Sequence, residues 1–196
     1  MERKETAPRQ GALGILLIRP PATYPPGAAR PTVSLPVGLL YVAAVLEKDG
    51  HDVQILDAQV HPAAPVARDP DGRTRLGLPW EELSFRVKER KPAIVGITSL
   101  FTSQAENAVR AAEVARSAAP SALIVVGGNH PTVRPGDFFS KTDAVDIVCM
   151  GEGEYTRREI DEAVREGRDA SRITGTAVRE GGGVRGNPAS PPMGEL

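Results

Sequence analysis

Cysteine is nearly missing from this chain. One residue, Cys149, stands among 196, so no disulfide can close within it and no all-thiolate metal site can be built from it. Aromatic residues make up only 4%. Charge of one sign is missing too: 24 basic residues face 25 acidic ones, with no block of either, which excludes the basic stripe of a nucleic-acid partner. No apolar run approaches the roughly 20 residues of a membrane-spanning helix. The run from Leu13 to Ile18 is too short for the core of a secretion signal, and no small-residue cleavage site follows it. These absences lead to the expectation of a cytoplasmic protein without nucleic acid or membrane partners. What remains is ordinary for a globular fold, 40% hydrophobic and 25% charged. The length fits one domain with a small appendage, large enough to need no disulfide. The excess lies in 18 prolines and 20 glycines, which gather in loops and tails.

Residues 1–11 read as a disordered start. Leu13 to Ile18 is apolar without alternation, as in a strand buried on both faces of a parallel sheet. Arg19-Pro20-Pro21 stops it. Pro36 to Asp49 reads as a helix, with proline in its first turn and Gly50 beyond its end. Val53 to Leu56 is a second strand. Ala58 to Pro79 reads as an unusually long loop, functional or disordered. Trp80 to Arg90 is a second helix, and Ala93 to Ile97 a third strand. Ser103 to Ala119 is the clearest helix, its alanines recurring at three and four. Ala122 to Val126 is a fourth strand, followed by a Gly127-Gly128-Asn129-His130-Pro131-Thr132 loop. A short helix at Gly136 to Ser140, a fifth strand at Asp146 to Met150 and a helix from Tyr155 to Glu166 complete the alternation. Residues 169–187 read as a small β-hairpin extension, and 188–196 as a Pro-rich linker or tail.

Alternation of strands and helices implies right-handed crossovers and a parallel sheet. The expected fold is α/β, flavodoxin-like, with five strands in the order 2-1-3-4-5, helices on both faces and the domain spanning residues 12–168. Ligands of such sheets sit outside the carboxyl ends of the strands. The candidate site is therefore a set of loops rich in glycine and hydroxyls and poor in catalytic side chains. Thr98, Ser99, Thr102 and Ser103 are hydrogen-bonding groups or simply helix caps. Gly127-Gly128 is a close-approach surface or a tight turn. Gly151-Glu152-Gly153-Glu154 suits a helix entrance and would repel a phosphate. Cys149 reads as a small buried hydrophobe, His51 as structural and His61 as solvated; His130 alone among the histidines lies on the presumed ligand face. No P-loop is present, and the Gly-x-Gly at Gly151 to Gly153 lacks the context of a dinucleotide fingerprint. No catalytic triad is suggested and no metal ligand set is assigned.

Together these residues carry a resemblance. The run 36–46 (PVGLLYVAAVL), Gly50-His51-Asp52-Val53, Leu56-Asp57, Val95-Gly96-Ile97-Thr98, Gly127 to Thr132 and Gly151 to Thr156 resemble, in order and spacing, the N-terminal cobalamin-binding domain of cobalamin-dependent radical S-adenosylmethionine enzymes. The resemblance implies a corrinoid held over the carboxyl edge of the sheet, with its nucleotide tail between sheet and helices. It assigns cofactor-binding positions to Pro20 and Pro21 after strand 1, to Thr98-Ser99-Leu100 with Thr102 beyond, to Gly127, Gly128, Asn129 and His130, and to Gly151, Glu152 and Gly153. It also implies that the protein gives cobalt no histidine. Asp49-Gly50-His51 imitates half of the histidine motif of other cobalamin domains, but Gln54 stands where that motif has glycine, and the segment precedes strand 2.

The family's radical half needs three cysteines for an iron–sulfur cluster, and this chain has one. The expectation is a cobalamin-binding module, either a piece of a longer enzyme or a stand-alone carrier. It would serve a radical S-adenosylmethionine domain in cis or in trans, in methyl transfer or related chemistry, with no complete catalytic apparatus and no cluster of its own. Two rivals stand beside it: a vestigial domain of the same fold acting as a scaffold without cofactor, and a receiver or flavin domain. Against the last, Thr98 stands where a receiver needs its acceptor aspartate.

Overall fold

A computed structural model describes residues 11–28, 34–61, 65–151 and 153–189. The expected disordered start, apart from Gly11, and the tail beyond Ala189 lie outside the described residues, as does Glu152. Strand β1 (Gly14–Arg19) pairs in parallel with β3 (Asp52–Asp57) on one side and β6 (Ile94–Thr98) on the other. Next come β7 (Leu123–Gly127) and β8 (Ile147–Cys149), also parallel. The five expected strands are thus neighbours in the order β3-β1-β6-β7-β8. Two corrections apply to the expected sheet. It has seven strands, and it is mixed, because the hairpin of β9 (Thr176–Glu180) and β10 (Gly183–Gly186) is no separate extension. β9 pairs antiparallel with β8, burying Ala177 and Val178. Without it β8 would be an open edge of unpaired backbone groups.

Side-chain alternation divides the core in two. From β1, Leu16 and Ile18 join Leu83 and Val87 of α2 (Trp80–Arg90), the alanine face of α3 (Ala105–Ala118), and Phe138 and Phe139 of α5 (Gly136–Lys141). Ile15 and Leu17 point the other way, toward Leu39, Ala43 and Leu46 of α1 (Val37–Lys48) and Ile160 and Ala163 of α6 (Gly153–Glu166). Burial on both faces is why these strands read as unbroken apolar runs.

The stretch 58–79 is not the structureless loop expected. Within it β4 (Val66–Arg68) and β5 (Thr74–Leu76) form a hairpin, and β5 also pairs with β2 (Ala22–Tyr24), giving a second, three-stranded antiparallel sheet. The Asp69-Pro70-Asp71-Gly72 turn makes this work: Asp69 N donates to Arg73 O at 2.8 Å, Gly72 N to Asp69 O at 2.9 Å, and Gly72 has φ +81. Gly77, φ +135, ends the hairpin where a Cβ would lie 2.8 Å from Pro21 Cα. The small sheet is thereby seated against the end of β1. A further departure follows β7, where a short helix α4 (Asn129–Val133) replaces the expected loop. Proline at the third residue of this helix is compatible with its first turn.

Asp146, just before β8, ties the sheet to α3. Its Oδ2 accepts from Ile124 N at 2.7 Å and from Arg116 Nη2 at 2.5 Å. Asp146→Ala strands the Ile124 backbone donor and removes the carboxylate partner of Arg116, whose guanidinium keeps its bonds to the carbonyls of Pro120, Ala122 and Ala144. It is expected to cost about 2 kcal/mol, read as a lower urea midpoint with an unchanged m value.

Candidate functional site

Every crossover helix returns the chain so that β1, β6, β7 and β8 end at one edge. Two cavities open there. The larger, about 560 Å³, lies between Arg19-Pro20-Pro21, the small sheet at Thr23 and the turn after β6 at Thr98, Ser99 and Leu100. Its wall is held by a side-chain network: Gln104 accepts from Thr23 N at 2.9 Å and donates to Thr23 O at 2.8 Å, and Asn107 Nδ2 donates to Gln104 Oε1 at 2.7 Å. Arg19 reaches Asp57 at 3.2 Å, and Gln59 donates to Pro20 O at 2.8 Å. The turns after β1 and β3 are therefore pinned together.

The second cavity, about 290 Å³, is a groove between the sheet and helix α1. Its origin lies in the sequence. On the face toward α1 and α6, Ile94, Val125 and Ile147 fill the space lower down. Toward the carboxyl ends the same face carries Gly96, Thr98, Gly127 and Cys149, all of them groove-lining. A Cβ at Gly127 would meet only Cys149 Cβ, at 3.6 Å, so Gly127 leaves open volume. Gly128 differs: its φ is +122, and a Cβ there would lie 2.6 Å from Ser99 O. This second glycine is required by the crossing of the two turns. Thr132 then locks the rim, donating to Gly128 O at 2.8 Å while accepting from Gly151 N at 2.9 Å.

Of the residues proposed from sequence, Pro20, Pro21, Thr98, Ser99 and Leu100 line the larger cavity, and Thr98, Leu100, Gly127, Gly128, Asn129 and Gly151 the groove. Gly153 begins α6. Thr102 and His130 line neither. They turn to each other, Thr102 Oγ1 to His130 Nδ1 at 3.0 Å, and His130 is buried edge-on against Phe138 with Nε2 3.6 Å from Asp137. His51 sits at the opposite edge of the sheet, where its Nδ1 accepts from Leu13 N at 3.3 Å. Cys149 is both a buried hydrophobe and a groove wall, and burial pushes its thiol up to about 11.

Sequence reasoning missed Gly38, Arg157 and Asp161. Arg157 and Asp161 are one turn apart on α6, flanking Ile160, and both are buried. Two charges on the apolar stripe of a helix are a readable signal. Neither forms an ion pair within 4 Å among the described residues; Arg157 Nε and Nη2, both Asp161 oxygens and Ser99 Oγ are buried without hydrogen-bond partners. Burial raises the Asp161 carboxyl to about 6, against the pull of Arg157.

The family model of the B12 binding domain matches residues 27–161. The chain belongs to the B12-binding domain family. Among curated relatives, the domain is 32% identical over 177 residues to an uncharacterised methyltransferase of Pyrococcus horikoshii, covering 90% of this chain and 35% of the relative. It is 37% identical over 145 residues to the cytidylyl-2-hydroxyethylphosphonate methyltransferase of Streptomyces wedmorensis, covering 72% and 27%. The B12-binding domain thus spans about a third or less of the length of these relatives. A solved radical S-adenosylmethionine methyltransferase, TsrM from Kitasatospora setae with cobalamin and [4Fe-4S] cluster bound, superposes with TM-score 0.68 at 22% identity, over 91% of this chain and 29% of that one. The cobalamin-dependent S-adenosylmethionine radical enzyme OxsB, with aqua-cobalamin bound, superposes with TM-score 0.66 at 19% identity, over 92% and 23%. At these identities the likeness is one of fold.

Asp161 generates a pH prediction. Its carboxyl is raised in the folded state, so its contribution is full below the ordinary carboxyl range and is lost as pH rises through about 6. The loss is about 3 kcal/mol at most. Asp161→Asn should remove it: the variant's gain in urea midpoint over the parent should grow between pH 4 and 7, and a constant difference would refute the assignment.

Proposed function

We propose that this B12-binding domain holds a corrinoid over the carboxyl edge of its sheet, with the cofactor's nucleotide arm in the glycine-lined groove. It presents the cofactor to a radical S-adenosylmethionine domain, joined in cis or acting in trans. The observation that carries this reading is the groove itself, where the side chains of neighbouring strands shrink together where a ligand of this family would enter. The residues present fit such a group: in the groove Gly127 leaves volume, Arg157 holds unpartnered polar atoms and the walls are otherwise small or apolar apart from Asn129, while Ser99 of the larger cavity has an unpartnered hydroxyl. Around the same edge Val37, Leu100, Phe101 and Val133 are exposed hydrophobics, a rim suited to a macrocycle.

On this reading, Thr98, Leu100, Gly127, Gly128, Asn129 and Gly151 would enclose the arm, and Pro20, Pro21 and Ser99 would face the ring, with Gly153 at the start of α6 beyond; Glu152, also proposed from sequence, lies outside the described residues. Inward-turned His130 and remote His51 support a cobalt without a protein histidine. When bound, the corrinoid supplies methyl transfer or related chemistry. The protein's own residues bind, orient and exclude water. One cysteine cannot hold the cluster of a radical domain, so bond-breaking chemistry is assigned to a domain other than this one.

One observation favours a second reading. The Arg157 guanidinium lies against Gly96, inside the groove, as in a domain kept for its fold alone. A single experiment separates the two. After incubation with hydroxocobalamin and desalting, the proposed function expects a retained corrinoid spectrum without histidine on cobalt; a scaffold retains none. Thr98→Tyr and Gly127→Leu should each abolish retention while leaving the unfolding midpoint within about 1 kcal/mol of the parent. Gly128 is unsuitable for this test, because any side chain there collides with Ser99.

A further inference from the structure

Among the described residues, Arg157 is a buried cation whose Nε and Nη2 find no acceptor. The residue is 7% exposed, and both atoms are sealed from solvent. Asp161, one turn on, is close enough to be felt yet forms no ion pair with it, and its own oxygens are equally unpartnered. An uncompensated buried guanidinium is strongly unfavourable, and a leucine or methionine would fill the space at no such cost. The side chain is not packing filler either. Gly96 is the residue that admits it: an ideal Cβ there would sit 3.2 Å from Nη2 and closer still to Nη1, with Leu17 at 2.8 Å. Glycine in the middle of a buried strand is itself costly, so two unfavourable residues face each other across the foot of the groove.

The chemistry of that foot is narrow. A guanidinium offers a planar fork of N–H donors, no acceptor, and a charge that does not titrate away. The groove beside it is lined by Thr98, Val125, Gly127, Gly128, Asn129 and Cys149, with Asn129 the one side-chain amide and no carboxylate among the described lining residues. A ligand group reaching this point must be a hydrogen-bond acceptor, and one slim enough to pass between glycines.

We propose that Arg157 is the specificity-determining residue of the groove, donating to a hydrogen-bond acceptor on the nucleotide arm of the corrinoid, either a phosphate oxygen or a ring nitrogen of the base. The proposal rests on the corrinoid reading above and adds to it a reason for the domain to choose a corrinoid that carries its arm. A charge-assisted hydrogen bond in a buried site is worth roughly tenfold or more in affinity.

The test measures dissociation constants by visible absorbance for three probes: cobalamin, cobinamide phosphate, which has a phosphate but no base, and cobinamide, which has neither. The parent domain is expected to prefer cobalamin over cobinamide by at least tenfold. Arg157→Leu should weaken cobalamin about tenfold and leave cobinamide within twofold, with Arg157→Lys between. If cobinamide phosphate loses affinity in parallel with cobalamin, the phosphate is the acceptor; if it behaves as cobinamide does, the base is. Arg157→Leu binding cobalamin as well as the parent, or better, overturns the proposal while leaving the corrinoid reading intact, since the guanidinium would then be an obstruction. Retention of none of the three probes by the parent overturns both. Unchanged cobinamide binding is the control for fold, because a merely structural role would move all three probes together.

Discussion

A sheet covered on both faces must receive its ligands at an end, and here missing side chains decide how. Five parallel neighbours bury Ile15 through Ile18 and their partners between two helical layers. Backbone donors and acceptors inside such a sheet are already paired, so it is at the carboxyl edge, where the ladder stops, that turns are open to a ligand. On one face the strands end in Gly96, Thr98, Gly127 and Cys149. The gap they leave under α1 is a packing vacancy in a structure that otherwise tolerates few. Both the site and its enclosure depend on that vacancy.

The rest of the edge is organised to keep the vacancy in shape. The second sheet, docked through Gly77 against Pro21, walls the larger cavity. The Thr23–Gln104–Asn107 network anchors that wall to α3. Thr132 couples the turns after β7 and β8, and Gly128 lets the turns after β6 and β7 cross at contact distance. Side chains held this way cost little further ordering when a ligand arrives.

Against this neutral frame stands one buried charge pair that does not pair. Arg157 and Asp161 share the inner face of α6, each with unpartnered atoms. Burial pushes the Asp161 carboxyl up to about 6, against the pull of Arg157. That expensive feature at the foot of the groove is what the recognition proposed for Arg157 rests on.

Much of this was legible from the residues alone. Unbroken apolar runs alternating with helical stripes specify a parallel α/β sheet, because only burial on both faces suits strands without polar sides. That architecture in turn names the loops after β1, β6, β7 and β8 as the ligand edge. Contacts distant in sequence were not legible. The hairpin β9–β10 joins the main sheet because β8 offers an open edge, and the stretch 58–79 becomes a sheet because β2, some fifty residues earlier, offers a partner. His130 shares its loop with Gly128 yet turns inward, since Thr102 and Phe138 receive it. Arg157 and Asp161 mark the apolar stripe of α6 in sequence, but that Arg157 reaches Gly96 is a contact only the fold makes. Sequence by itself determined the five parallel strands, their crossover helices and the edge they share, through local periodicity and turn chemistry. Tertiary structure alone decided which side chains meet there, because a groove is the volume left between segments that only packing brings together.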